Sequence, residues 1–206
     1  MPIRENREYR DLININPIEN QDEEYIAEGY ATTFNKPYEL YSYDNVTVLE
    51  QVDSKAFNEC DLNDCILQYD HEGRVYARSS NGTLTLTPDE HGLKVRAFLG
   101  GTSGGKQLYE EIKGGYINKM SFGFTVEADE VTRKEEGDKV TVIRTITKIG
   151  KLYDVSAVSI PANNQTAISA RKFSDGVIEE LQKELSAKEL RNRQIQKFKI
   201  LLDLDK

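Results

Sequence analysis

The 206-residue chain has little with which to staple a fold or hold a metal: two cysteines, Cys60 and Cys65, and two histidines, His71 and His91. Two thiols make no disulfide framework. They read as small buried side chains in a reducing compartment. No cofactor and no metal are expected. Long apolar runs are also missing. None approaches the roughly 18 residues of a membrane helix, and Met1-Pro2-Ile3-Arg4-Glu5-Asn6 lacks the apolar core of a secretion signal. Positive charge is scarce, with 27 Lys+Arg against 35 Asp+Glu and a net charge of −8. That balance speaks against a duplex-binding protein, whose footprint is usually basic. A soluble, intracellular, single-domain protein is expected, without nucleic-acid or membrane partners. Its length suffices for a real core.

Three textures divide the chain. Residues 1–24 are polar and acidic and read as a loosely ordered N-terminal arm. From Tyr25 to Arg171, short apolar runs alternate with polar residues: Val46 and Val48, Leu84 and Leu86, Leu93, Val95 and Ala97, Val140 and Val142. Period-two alternation predicts strands with one buried face. Pro88–Gly92 reads as a hairpin loop between two of them. The count and spacing favour a mainly β, antiparallel sandwich or barrel with flanking helices. One helix is expected over Lys106–Lys113, stopped by Gly114-Gly115, and Glu127–Lys139 reads as an exposed hairpin loop. Residues 172–206 form the third texture, a helical tail capped at Ser174 or Asp175. Its two apolar stripes, Ile178/Leu181/Leu185 and Ile195/Phe198/Leu202, are out of line with each other.

Several motifs invite chemistry. Gly100 to Gln107 nearly spells a phosphate loop, but Gln107 stands where a magnesium-binding hydroxyl is needed, and the preceding strand alternates rather than being apolar throughout. A glycine-rich connector is the reading taken. His91, in its hairpin loop, reads as structural. His71 ends an apolar run in Leu67-Gln68-Tyr69-Asp70-His71-Glu72-Gly73. Ser121 lies in Met120-Ser121-Phe122-Gly123-Phe124, where alternation places Ser121 and Gly123 opposite Met120, Phe122 and Phe124. A glycine between two phenylalanines suggests that backbone there approaches something closely. In Leu152 to Asn163, Asp154 shares a face with Ser156, Val158 and Ile160, and a carboxylate in such company wants a partner.

Taken together, Asp70-His71, Met120 through Phe124 and Asp154 through Asn163 with its Pro161-Ala162-Asn163 ending resemble the tailed-phage prohead proteases. Glu28-Gly29-Tyr30-Ala31 and Gly92-Leu93-Lys94-Val95 also fit, so the likeness spans about Tyr25 to Arg171. It implies a β-barrel similar to that of the herpesvirus maturation proteases. It implies a serine endopeptidase with Ser121 as nucleophile, His71 as base and Asp154, where the family more often has Glu, as the orienting acid. Backbone N–H groups of Ala162 and Asn163 would form the oxyanion hole. The implied partners are scaffold and the major capsid protein, cleaved in the host cytoplasm inside the assembling prohead, with self-cleavage and a homo-oligomer as further expectations. The rival reading is a catalytically inactive β-barrel component of scaffold or capsid assembly.

Overall fold

The computed structural model describes residues 7–18 and 25–159, together with five isolated, exposed helical positions at 176, 179, 180, 183 and 191. Ten strands and one α-helix follow in chain order: β1 (Glu8–Pro17), β2 (Ile26–Thr33), β3 (Tyr38–Tyr43), β4 (Val46–Val52), β5 (Ile66–Tyr69), β6 (Glu72–Arg78), β7 (Leu84–Pro88), β8 (Gly92–Phe98), α1 (Ser103–Lys113), β9 (Lys119–Glu136) and β10 (Lys139–Val158). The main path through the sheet is β3-β4-β10-β9-β1-β2-β8-β7, with β5 attached to β10 and β6 to β5. The protein is therefore mainly β with few helices among the described residues.

Three expectations need correction. No closed barrel is present among the described residues, because β3 and β7 end the path unpaired with each other. Closure needs an apolar inner face along the strands, and the outer half of β9, Glu127–Glu136, is exposed throughout. The sheet is also mixed rather than antiparallel. β10 pairs with β9 in antiparallel fashion, but β4 and then β5 run parallel to it, matching Val140–Ile146 and Asp154–Ala157 in turn. Finally, Glu8–Pro17 of the expected loose arm is strand β1, seated between β9 and β2. Glu8 and Arg10 mask this strand in a sequence reading, because their charges are satisfied inside the fold by partners far along the chain. The tail beyond Ser159 lies outside the described residues apart from those isolated positions.

The core forms on one face of the sheet. Met120, Phe122 and Phe124 of β9 and Val155 and Ala157 of β10 pack there with Leu67, Ile15, Val95 and α1. The helix turns Leu108, Tyr109 and Ile112 inward. Its start explains the glycine-rich stretch. The Thr102 side chain caps the helix by accepting the Gly105 N–H at 3.0 Å, and a Cβ at Gly105 would collide with the Leu99 carbonyl. A connector and helix cap account for these residues. Burial pushes the thiol pKa of Cys60 up to about 11 and of Cys65 up to about 12, so both stay protonated at neutral pH.

Candidate active site

On the face of β9 away from the core, Ser121 and Gly123 stand in two cross-strand rows. Ser121 is matched by Asp11 on β1 and Ser156 on β10, and Gly123 by Tyr9 on β1 and Asp154 on β10. Between Leu152 and Asp154 the register shifts, an irregularity of the kind that re-aims a strand residue. It brings Asp154 level with Gly123. The missing side chain matters at this point. An added Cβ would lie 2.5 Å from Asp154 Oδ2 and 2.7 Å from Tyr9 Cε1. The close approach suggested by the Phe-Gly-Phe pattern is thus made by these two groups.

His71 arrives from a different element. Asp70 and His71 both have positive φ, 49° and 58°, in the two-residue turn joining β5 to β6. Consecutive left-handed residues are what tight hairpins require, and Asp and His are among the side chains that tolerate them best. The turn is tied to the end of β10. The Asp70 N–H donates to the Ala157 carbonyl at 3.0 Å, and the Asp70 carboxylate accepts from the Ser159 N–H and hydroxyl, both at 2.9 Å. Asp70 is thereby occupied and unavailable to the imidazole beside it.

The turn projects the imidazole over the two rows. His71 Nε2 lies 2.6 Å from Ser121 Oγ, and Nδ1 is hydrogen-bonded to Asp154 Oδ1. With the proton on Nδ1, that nitrogen donates to the carboxylate and Nε2 is left to accept from the serine hydroxyl. Ser156 Oγ donates to the same Asp154 oxygen at 3.2 Å. The Tyr9 ring packs edge-on against His71, with centroids 4.5 Å apart and planes at 68°. Ser121 and Ser156 are fully buried and Asp154 is 3% exposed. Charges in such a site interact more strongly than in water.

The structure brings Ser121, His71 and Asp154 into one hydrogen-bonded chain, while Ala162 and Asn163 lie outside the described residues. The sequence reading missed Tyr9, set aside with the arm, and the supporting bonds made by Ser156 and Asp70. Ser156 did carry a signal, being two residues from Asp154 on one strand face. Tyr9 carried none, since only the strand register places it beside Gly123. His91 packs on Tyr30 in its own hairpin, apart from this chain of bonds.

A hydroxyl, an imidazole and a carboxylate joined in this order have the geometry of a serine-hydrolase triad. The profile of the caudovirus prohead serine protease family matches residues 12–183, and the chain belongs to that family. It is also 36% identical over 94 residues to the prohead protease of Enterobacteria phage HK97, an alignment covering 45% of this chain and 39% of that relative. The match therefore spans well under half of the relative's length. No solved structure matches the chain.

Proposed function

We propose that the protein is a serine endopeptidase in which Ser121 is the nucleophile, His71 the general base and acid, and Asp154 the group that holds the imidazole. The observation that carries this reading is the pair of hydrogen bonds at the two nitrogens of one ring. A serine hydroxyl is a weak nucleophile and needs a base within reach, and the 2.6 Å separation between Ser121 Oγ and His71 Nε2 meets that need. In the first step Oγ bonds to the scissile carbonyl carbon while its proton passes to Nε2. Asp154 stabilises the resulting imidazolium. The tetrahedral adduct then collapses, the C–N bond breaks, and Nε2 returns the proton to the leaving amine. Water repeats the sequence on the acyl-enzyme, giving the carboxylic acid and free Ser121.

Membership of the family supports scaffold and the major capsid protein of an assembling prohead as the substrates of this reading, with cleavage of the enzyme itself as a further reaction. Mass spectrometry of wild type and Ser121→Ala, each coexpressed with its capsid protein, tests this. Trimming by wild type alone is expected. Identical trimming by both would remove Ser121 from the mechanism, and no trimming by either would favour an inactive assembly component.

A further inference from the structure

The His71 imidazole is held at its two nitrogens by hydrogen bonds and at Cγ by its bond to Cβ. Rotation about its side-chain torsions would carry the ring off Ser121 and Asp154, and the backbone of the turn fixes neither torsion. The remaining constraint is Tyr9. Its ring meets the imidazole edge-on at 4.5 Å, in the arrangement aromatic pairs prefer, and it occupies the space that Gly123 leaves open.

Tyr9 is itself firmly held. The Arg10 guanidinium donates to the Tyr9 carbonyl at 2.8 Å. Glu8 and Arg10, on the opposite strand face, are buried in an ion cluster with Glu50 and Arg144. Arg7 stacks over the Tyr153 ring at 3.5 Å, which ties β1 to β10 beside Asp154. The Tyr9 hydroxyl makes no hydrogen bond to any described residue. The ring, not the hydroxyl, is what meets His71.

We infer that Tyr9 is a positioning residue that sets the plane of the His71 imidazole between Ser121 and Asp154. The inference rests on the triad reading above. It makes β1 part of the active site, although that strand supplies no reacting atom. A ring free to swing about its side-chain torsions spends less time with Nε2 at Oγ, and misplacement of a base by about 1 Å can cost on the order of 10² in rate.

The test follows acylation by a fluorophosphonate probe, separating the maximal rate from probe affinity, with the melting temperature recorded for each variant. Tyr9→Leu and Tyr9→Met should lower the maximal acylation rate by on the order of 10² while probe affinity stays near wild type. Tyr9→Phe should restore the rate. With histidine ¹³C-labelled at ring Cε1, each of the two histidines gives one ring signal, and His91 serves as the internal reference. The His71 ring signal should move in the Leu variant and stay in place in the Phe variant. A wild-type rate in Tyr9→Leu or Tyr9→Met, or a rate in Tyr9→Phe as low as theirs, would overturn the role of the ring. Should the Leu and Met variants fail to fold, the Phe variant alone decides through its rate and its His71 signal. Absence of wild-type labelling at Ser121 would instead bring down the triad reading, so the two failures are distinguishable.

Discussion

An alanine at position 123 would place its Cβ 2.5 Å from Asp154 Oδ2 and 2.7 Å from the Tyr9 ring, and both neighbours are committed to His71. Gly123→Ala should therefore cost about 1–3 kcal/mol as an overpacked site, and turnover should fall by more than the loss of folded protein explains. Melting curves beside hydrolysis rates check this, and a variant unchanged in both would show that the notch is slack. Asp154→Asn keeps the size of the side chain but can hold the imidazole in the wrong tautomer. A loss on the order of 10⁴ in turnover is expected with the fold intact by circular dichroism, and near-wild-type activity would remove Asp154 from the orienting role. At this scale the sequence exposed the groups with chemistry of their own. Ser121 and His71, each an ordinary strand serine or turn histidine on its own, were picked out by the family likeness of their motifs, whereas Asp154 stood out by itself as a carboxylate beside Val158 and Ile160. Tyr9 carried no such signal, because an exposed-looking tyrosine between Glu8 and Arg10 comes against His71 only through its pairing with Gly123.

The β5–β6 turn is the element that delivers the histidine, and it is an unfavourable conformation held in place. A non-glycine residue in the left-handed region costs of order 1 kcal/mol, and Asp70 and His71 are two in succession. The Asp70 N–H donated to the Ala157 carbonyl and the two bonds that its carboxylate accepts from Ser159 hold the turn against that tendency. Asp70→Ala should leave the core intact but loosen the turn, so that the hydrolysis rate drops while the melting temperature moves by only a few degrees. Hydrogen exchange should rise at Asp70 and His71. An unchanged rate with raised exchange would separate the turn's rigidity from catalysis. Strands with clean alternation, such as β8, were legible from period two alone, as was α1 from its glycine stop. β1 was not, because Glu8 and Arg10 find their partners on β4 and β10, tens of residues away in sequence. Closure and strand direction were equally hidden. Nothing local in β10 announces that one of its edges is shared in parallel by β4 and then β5.

Across the whole molecule, a buried charge cluster joins β1, β4 and β10 on the face opposite the triad. Arg10 and Arg144 meet Glu50 and Glu8, with Asp129 outside and the Tyr38 hydroxyl on Glu50. Burial pushes the Glu50 pKa up, but the two guanidinium groups and the tyrosine hydroxyl outweigh it, and the net direction is below the ordinary carboxylate value. A depressed carboxylate stabilises the fold fully above its unfolded pKa of about 4.3 and loses that contribution as pH falls through its lower folded value. Stability should thus hold from pH 7 to about pH 5 and decline below about pH 4. Glu50→Gln removes the carboxylate that Arg10 and Arg144 share, leaving them Glu8 and, for Arg144, Asp129, so it should cost up to about 3–5 kcal/mol at neutral pH and flatten the acid decline. Melting temperatures from pH 7 to 3 check both parts, and parallel acid curves for the two proteins would show that Glu50 is not the group responsible. The cluster takes Glu8 and Arg10 from β1, and between them Tyr9 packs against His71, so one strand read as a loose arm touches both the charge cluster and His71. The central claim, that His71 activates Ser121, is tested most directly by peptide mapping after fluorophosphonate treatment of wild type, Ser121→Ala, His71→Ala and the double variant. The account predicts one adduct, on Ser121, lost in every variant, with the double variant no less reactive than either single one because nucleophile and base act as a unit. An adduct on another residue, or full labelling of Ser121 in the His71→Ala protein, would contradict it.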